Sequence, residues 1–364
     1  MGWPRCRDNQ RKGCDVRHGS RASQGEGEEE TIGGAGGATL LIRSPERRAP
    51  LKVLLVTNIY PTAEEPWYGC FVRDQVEDLQ ALGIDVHVLS FDGRRDRLNY
   101  LRAAREIRRR IARDHFDLIH AHYGLTGAAA LQRRVPLVTT FHGSDCNGAI
   151  PWQRYVSWVV ARRSLPVFVS KEGRRMLGCP SAPVIPAGVD TDLFSPLDRR
   201  VAKRRLGWQE DAHHVVLPGN RCLPTKRADL FDTALAEARK EVPDLCGVAL
   251  EGFSRAQVAL VLNAADAVLM TSDREGSPVT VRESLACMTP VVSVDVGDVP
   301  RVLTGLPGCG IFPRDPCALA RGVLDALQAE RHPDLRRRAE DSSRRLVAER
   351  IAAVYSSIVS AGTR

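Results

Sequence analysis

Phosphate-binding glycine signatures are missing from this sequence. No G-x-G-x-x-G follows the first apolar run, and no G-x-x-x-x-G-K-[ST] occurs anywhere. Dinucleotide dehydrogenases and P-loop NTPases lose their main support with that absence. Aromatic residues are also scarce, at 5%, and there is neither an aromatic platform nor a zinc motif of the kind that nucleic-acid readers carry. Nucleic acid is therefore not an expected partner. The ten cysteines are scattered, with no C-x-x-C pair and no Cys/His cluster at zinc spacing, so no metal is expected and a reduced, cytoplasmic setting is. No apolar run is long enough to span a membrane, and the N-terminus lacks the apolar stretch of a signal peptide.

What is present is a chain of 364 residues, 43% of them apolar, which gives room and core material for two domains. Its formal charge of +8 points to anionic partners, and with nucleic acid set aside these are an anionic substrate or an anionic membrane surface. Residues 1–49 carry charge, glycine and serine with almost no apolar periodicity. Such a segment cannot offset its ordering entropy by burial, so it reads as a disordered extension, or as translation from a start codon placed too far upstream.

From Leu51 onward strand and helix alternate. "LKVLLVTN", "IDVHVLSF", "DLIHAHY", "VPLVTTFHG", "PVFVS" and "APVIPAG" read as strands, and the helices between them include a basic one, "LNYLRAAREIRRRIARDHF". The strands are apolar throughout, the mark of a parallel sheet covered on both faces. A second series begins near Thr191 with "HHVVLPGN", "CGVALEG", "ADAVLMTS", "PVVSVDV" and "CGIFP", and one long helix, "LRRRAEDSSRRLVAERIAAVYSSIV", closes the chain. The expected fold class is α/β, with two Rossmann-like, doubly wound domains facing a cleft. The expected boundaries are 50–190 and 191–346.

Within the second half, "SDREGSPVTVRESLACM" places Glu275 before a helix start and Glu283 inside the helix. Ligands of open α/β sheets sit at such strand ends. Arg221 and Lys226, after the strand "HHVVLPGN", come to the same edge. Two cations and a fringe of helix amides, those of Val279 and Thr280, make a receptor for a diphosphate, with Ser277 able to cap and Pro278 costing nothing as a first helical residue. Ser277 to Glu283 spans about 9 Å along a helix. One carboxylate can then hold sugar hydroxyls while the other holds a ribose diol. The spacing alone also fits a plainer arrangement, with Glu275 complementing the helix dipole and Glu283 a solvated helix residue. A glycosidase would set its two carboxylates across a glycosidic bond instead.

The block "EGSPVTVRESLACMTPVVSVDVGDV", with Glu275 and Glu283 as E-x(7)-E, resembles the family 4 retaining glycosyltransferases of GT-B fold, nearest the teichuronic-acid and exopolysaccharide type. The likeness extends to "LKVLLVTNIYPTAEEPWYGCFV", "DLIHAHYGLTG", "VPLVTTFHGSD", "VIPAGVDTDLF" and "VLNAADAVLMTS". It implies transfer of a sugar from a nucleoside diphosphate sugar to a hydroxyl, on a glycan or lipid-linked glycan, with retention and with no metal or other cofactor. Lys226 and Arg221 would neutralise the leaving diphosphate, Glu283 would bind ribose and Glu275 the donor sugar. His142 in "TFHGSD" matches the family's cleft histidine. His122 is a further candidate on the acceptor side and His120 reads as structural. Gly69 matches the acceptor-side loop, and Asp145 either binds an acceptor hydroxyl or caps the next helix. The closing helix, from about residue 347 to 362, would return to the first domain.

Some positions depart from the family pattern. Ala187 stands where many relatives have Asn, Arg227 where many have Gly, and Val279 where the nearest subgroup has Asn, while Glu241–Gly252 is short of a loop and a strand. These departures leave open a catalytically inactive partner that binds nucleotide or glycan, and the fold itself leaves open a sugar-nucleotide epimerase. The arginines of residues 98–116 form either a solvated helix face or a site of peripheral attachment to an anionic inner leaflet.

Overall fold

A computed structural model describes residues 50–65, 68–146 and 150–362; the segment expected to be disordered, 1–49, lies outside them. The first half runs β1 (Lys52–Thr57), α1 (Cys70–Ala81), β2 (Asp85–Ser90), α2 (Leu98–Arg113), β3 (Leu118–His122), α3 (Gly124–Ala130), β4 (Leu137–Phe141), α4 (Pro151–Ala161), β5 (Leu165–Phe168) and α5 (Lys171–Met176). Its five strands are parallel, in the order β2-β1-β3-β4-β5. The central strands β3 and β4 are buried along their whole length, as strands covered on both faces are, and they carry His120, His122, Thr139 and Thr140 into the interior with them.

The second half runs α6 (Arg199–Leu206), β6 (His214–Leu217), α7 (Ala228–Ala238), β7 (Cys246–Ala249), α8 (Arg255–Ala264), β8 (Ala267–Met270), α9 (Val279–Ala286), β9 (Val291–Val294), α10 (Val299–Leu303), β10 (Gly310–Phe312), α11 (Pro316–Gln328) and α12 (Pro333–Glu340). This sheet is also parallel, in the order β10-β9-β8-β6-β7. The shortened stretch appears here: the edge strand β7 passes through Leu250–Ser254 straight into α8.

Two expectations are corrected. "APVIPAG" is not a strand, and only a single bridge joins Val184 to Phe168. Pro183 and Pro186 have no N–H to donate and cannot sustain a ladder. The closing helix is two helices, α12 and α13 (Arg344–Gly362). It breaks where the chain crosses between domains: the Val189 N–H donates to Ser342 O at 2.9 Å, and the Arg344 N–H donates to Val189 O at 3.0 Å. Beyond the break, Val347, Ala348, Ile351 and Tyr355 of α13 pack into the first domain's core beside Val53 and Leu55. Arg344 ties the crossing to α1 with an ion pair to Asp78 at 2.7 Å.

Each sheet reverses its winding direction once, between β1 and β3 in the first and between β6 and β8 in the second. Loops leaving the carboxyl ends of strands on either side of such a point diverge and open a crevice. Lys226 lies on the loop after β6 and Glu275 on the loop after β8. The fold itself therefore brings these two residues together.

Candidate functional site

A cleft of about 510 Å³ is lined by Tyr123, His142 and Ser144 from the first domain and by Thr225, Arg274 and Glu275 from the second. At its edge the Lys226 ammonium meets a Glu275 carboxylate oxygen at 2.7 Å, both side chains being largely buried. Lys226 is held on both sides. Its stem lies against Gly219, where a β-carbon would come 2.7 Å from Cε, and its carbonyl accepts from the Thr271 hydroxyl at 2.8 Å. Arg227, standing where the family pattern expects glycine, adopts the left-handed conformation with φ 52°. That conformation costs a non-glycine residue about 1–2 kcal/mol, and ion pairs to Asp229 at 2.7 Å and Asp273 at 3.3 Å hold it there.

Helix α9 starts at Val279, with Pro278 as its cap residue. No acceptor is found among the described residues for the N–H groups of Val279 and Thr280, so they are free to meet an anion. Ser277 does not cap this helix. Its hydroxyl donates to Asp298 at 3.0 Å, and Asp298 forms a buried ion pair with Arg282. The Asp298 N–H also donates to Gly276 O at 3.1 Å. Asp298 thus holds the loop at both Gly276 and Ser277. Arg221 departs from expectation: its guanidinium pairs with Asp232 of α7 at 2.6 Å. An exposed arginine takes the nearest acid, and here that acid lies on the neighbouring helix.

Glu283 is buried rather than solvated, at 2% exposure, and Arg255 from the first turn of α8 pairs with it at 2.5 Å. The Arg255 guanidinium in turn lies 4.7 Å from the centre of the Phe194 ring. Burial pushes the Glu283 carboxyl above its ordinary range and Arg255 pulls it back.

Across the cleft, His142 stacks on Tyr123 with ring centres 4.5 Å apart and meets His122, Nε2 to Nδ1, at 2.9 Å. His120 is fully buried and bonds Tyr355 of α13 at 2.6 Å and Thr140 at 2.7 Å, a structural role. His122 is likewise fully buried, behind His142 rather than on the acceptor surface. Asp145 is the last correction. Its carboxylate accepts from the backbone N–H groups of His142 and Gly143 at 3.0 Å and of Gly124 at 3.1 Å. It clamps the His142 loop onto the start of α3 and has little left for an acceptor. Gly69 caps α1 with φ 74°, and a β-carbon there would strike Ile59 at 2.4 Å.

Residues 52–193 match the family model described as Glycosyltransferase Family 4, and residues 209–329 match that of Glycosyl transferases group 1. The two matches together span most of the chain, and the chain is a glycosyltransferase. TuaC of Bacillus subtilis (strain 168), a glycosyltransferase assigned to teichuronic acid biosynthesis, is 27% identical over 349 aligned positions, covering 75% of this chain and 88% of TuaC. The alignment is longer than the part of this chain it draws on, so TuaC carries extra residues within the match. Among solved structures, sucrose-phosphate synthase from Thermosynechococcus elongatus superimposes with a TM-score of 0.72 at 15% identity, over 85% of this chain and all of that one. Anabaena HepE, in complex with UDP and glucose, gives 0.64 at 18% identity, over 84% of this chain and all of HepE. The glycosyltransferase has the GT-B fold.

In this glycosyltransferase the histidines make stability depend on pH. Burial holds all three rings well below the ordinary histidine range, His122 at about 3. The contact between His122 and His142 also needs one ring to accept, which a doubly protonated pair cannot do. An unfolded chain takes up these protons near pH 6.5 and the folded one only near 3 for His122. The contribution is therefore complete above about pH 6.5 and lost as pH falls towards 3. One such histidine accounts for about 2 kcal/mol between pH 7 and pH 5. Asp145, raised by burial to about 6, works the other way: its share is complete below the ordinary carboxylate value and lost as pH rises through 6. Denaturant melts at pH 7 and pH 5 should show His122→Phe losing about 2 kcal/mol less than wild type across that interval. An unchanged slope would remove His122 as the titrating group. Among the described residues no group of three or more His, Cys, Asp or Glu side chains is arranged to hold a metal ion.

Proposed function

We propose that the enzyme moves a sugar from a nucleoside diphosphate sugar to an acceptor hydroxyl in polysaccharide synthesis, with retained configuration and no bound metal. The observation that carries this reading is the pairing of Lys226 with Glu275 at 2.7 Å, with Glu275 lining the cleft opposite His142 and α9 beginning four residues further on. In the transfer the bond from the anomeric carbon to the diphosphate oxygen breaks. A bond from that carbon to the acceptor oxygen forms on the same face, and the acceptor proton leaves with the diphosphate. Negative charge grows on the leaving oxygens, and Lys226 with the Val279 and Thr280 amides meets it there, fixed in place before reaction. Releasing Lys226 to the diphosphate frees a Glu275 oxygen for the donor sugar's hydroxyls, while Glu283 takes the ribose diol and His142 the sugar's other side.

The HepE complex with UDP and glucose supports a nucleotide-sugar donor, and TuaC's assignment to teichuronic acid biosynthesis supports a cell-wall or exopolysaccharide product. Peripheral attachment to an anionic membrane leaflet belongs to the same reading; among the described residues no helix is long and apolar enough to cross a membrane. Calorimetry with UDP and with GDP, in the presence of a chelator, tests the donor site. One of the two should bind wild type, with affinity at least about tenfold lower in Glu283→Ala. Failure of a folded wild-type enzyme to bind either nucleotide would overturn the reading.

A further inference from the structure

Glu283 is short of hydrogen-bond donors. It is 2% exposed, and an ionised carboxylate offers about four lone-pair sites. Among the described residues only Arg255 bonds to it, Nη1 to Oε1 at 2.5 Å. Oε2 has no partner among them, yet it is not sealed from solvent. Three other buried acids are better supplied. Asp145 accepts from three backbone N–H groups. Asp266 meets Arg199, Lys203 and the His214 N–H, and Asp298 meets Arg282, Arg301 and the Ser277 hydroxyl. Buried polar groups in folded proteins are as a rule paired, so the shortfall at Glu283 points to hydroxyl donors from outside the chain.

Arg255 is held by its backbone, by a ring and by the carboxylate. It is the first residue of α8, and Ser254 and Gln257 close a capping box around it. The Gln257 N–H donates to the Ser254 hydroxyl at 3.3 Å and the Ser254 N–H to Gln257 Oε1 at 2.9 Å. A cation in a helix's first turn is disfavoured by the helix dipole, so its place there calls for another cause. Phe194 and Glu283 supply it: the guanidinium lies over the fully buried Phe194 ring and points one nitrogen at the carboxylate. The other titratable groups near the pair are Asp74 and Cys70 of α1, Asp190 at the domain crossing and Cys287 at the end of α9. Burial, with Asp74 and Asp190, opposes ionisation of Glu283, and Arg255 favours it.

We propose that Arg255 is a positioning residue of the donor site: it binds Oε1 of Glu283 and leaves Oε2 for the ribose diol of the nucleotide. The arginine acts through Glu283 and need not touch the nucleotide itself. The assignment rests on the proposed donor site and goes beyond it, because it makes ribose recognition the work of a pair rather than of Glu283 alone. A pair that only tied α8 to α9 would be indifferent to the ribose.

The test is calorimetry with UDP or GDP, whichever wild type binds, and with its 2′,3′-dideoxy counterpart. The readout is the ratio of the two affinities, in which effects of pH on the diphosphate cancel. Wild type should hold this ratio constant from about pH 6 to about pH 8. In Arg255→Ala it should fall by about tenfold at the lower pH and recover as pH rises, because a buried carboxyl without its cation ionises only at higher pH. The dideoxy nucleotide should bind Arg255→Ala and wild type alike, which shows that the variant folds. Arg255→Lys, which restores a cation, should regain most of the ratio. The Glu283→Gln, Arg255→Ala double variant carries no unpaired buried charge, and its ratio should match that of Glu283→Gln. Equal losses for the two nucleotides in Arg255→Ala would make the pair structural and overturn the assignment. So would a further loss of the ratio in the double variant. If Glu283→Gln abolishes the ribose preference and Arg255→Ala keeps it, the donor reading stands and this assignment falls. If wild type binds neither nucleotide, both fall.

Discussion

Replacing Lys226 with alanine lowers kcat about 10²–10³-fold, the effect of removing one preorganised donor from a site where charge develops. Three features of its setting argue for an effect of this size. Its stem is pinned on Gly219 and its carbonyl on Thr271, so no reorganisation is needed when charge appears. Glu275 is its partner at 2.7 Å, and without the cation that carboxylate would face the diphosphate's own negative charge. Finally, the Arg221 guanidinium is turned toward Asp232 on α7, at 2.6 Å. Lys226→Arg should recover little of the loss, because a planar guanidinium cannot take the place of a single ammonium packed against Gly219 and paired with one Glu275 oxygen. Steady-state kinetics on Lys226→Ala and Arg221→Ala side by side provide the check. Arg221→Ala should stay within about threefold of wild type, since an exposed ion pair is worth little. A larger loss in Arg221→Ala than in Lys226→Ala would assign the diphosphate to Arg221 and sink this account.

The contrast between those two cations marks how far the sequence can be read. Loop position follows from the order of strands: alternating apolar runs gave the parallel sheets, and the strand ends gave Lys226, Glu275 and the start of α9. Side-chain direction does not follow from spacing. Arg221 and Lys226 are equally close to the cleft along the chain, yet one is held by backbone contacts on a tight turn and the other is free to find Asp232. Arg255 was missed for a related reason. It lies far from Glu283 in sequence and reaches it because β7 passes directly into α8. An arginine at the first turn of a helix, just after a strand, is the signal that was available. Asp298 was hidden in the same way: it serves Ser277, Gly276 and Arg282 at once, and nothing local to "VGDVP" reveals those partners. The break between α12 and α13 looks like continuous helix from sequence, because its cause is pairing with Val189 at the other domain crossing.

Gly276→Ala lowers kcat/KM about 100-fold while leaving nucleotide affinity within about twofold of wild type. The two domains meet here backbone to backbone. A β-carbon on Gly276 would sit 2.3 Å from the His142 carbonyl oxygen and 3.0 Å from Gly143 Cα, and one on Gly143 would sit 2.5 Å from Gly276 Cα. On its other side, Gly276 O accepts from Asp298 N–H at 3.1 Å, so the loop cannot retreat without breaking the contact that holds it. The methyl group must therefore push the domains apart by about 1 Å, and misplacement on that scale is enough to cost two orders of magnitude in rate. The split between binding and turnover follows from the layout. Lys226, Glu283 and the α9 amides all belong to the second domain, and the alanine does not disturb their mutual arrangement. His142 belongs to the first domain and would move away with it. Parallel calorimetry and initial-rate measurements distinguish the outcomes. If Gly276→Ala turns over like wild type, His142 is not required at its observed distance from the donor site. If nucleotide affinity falls in step with rate, the damage lies in the donor site itself rather than in the closure of the cleft.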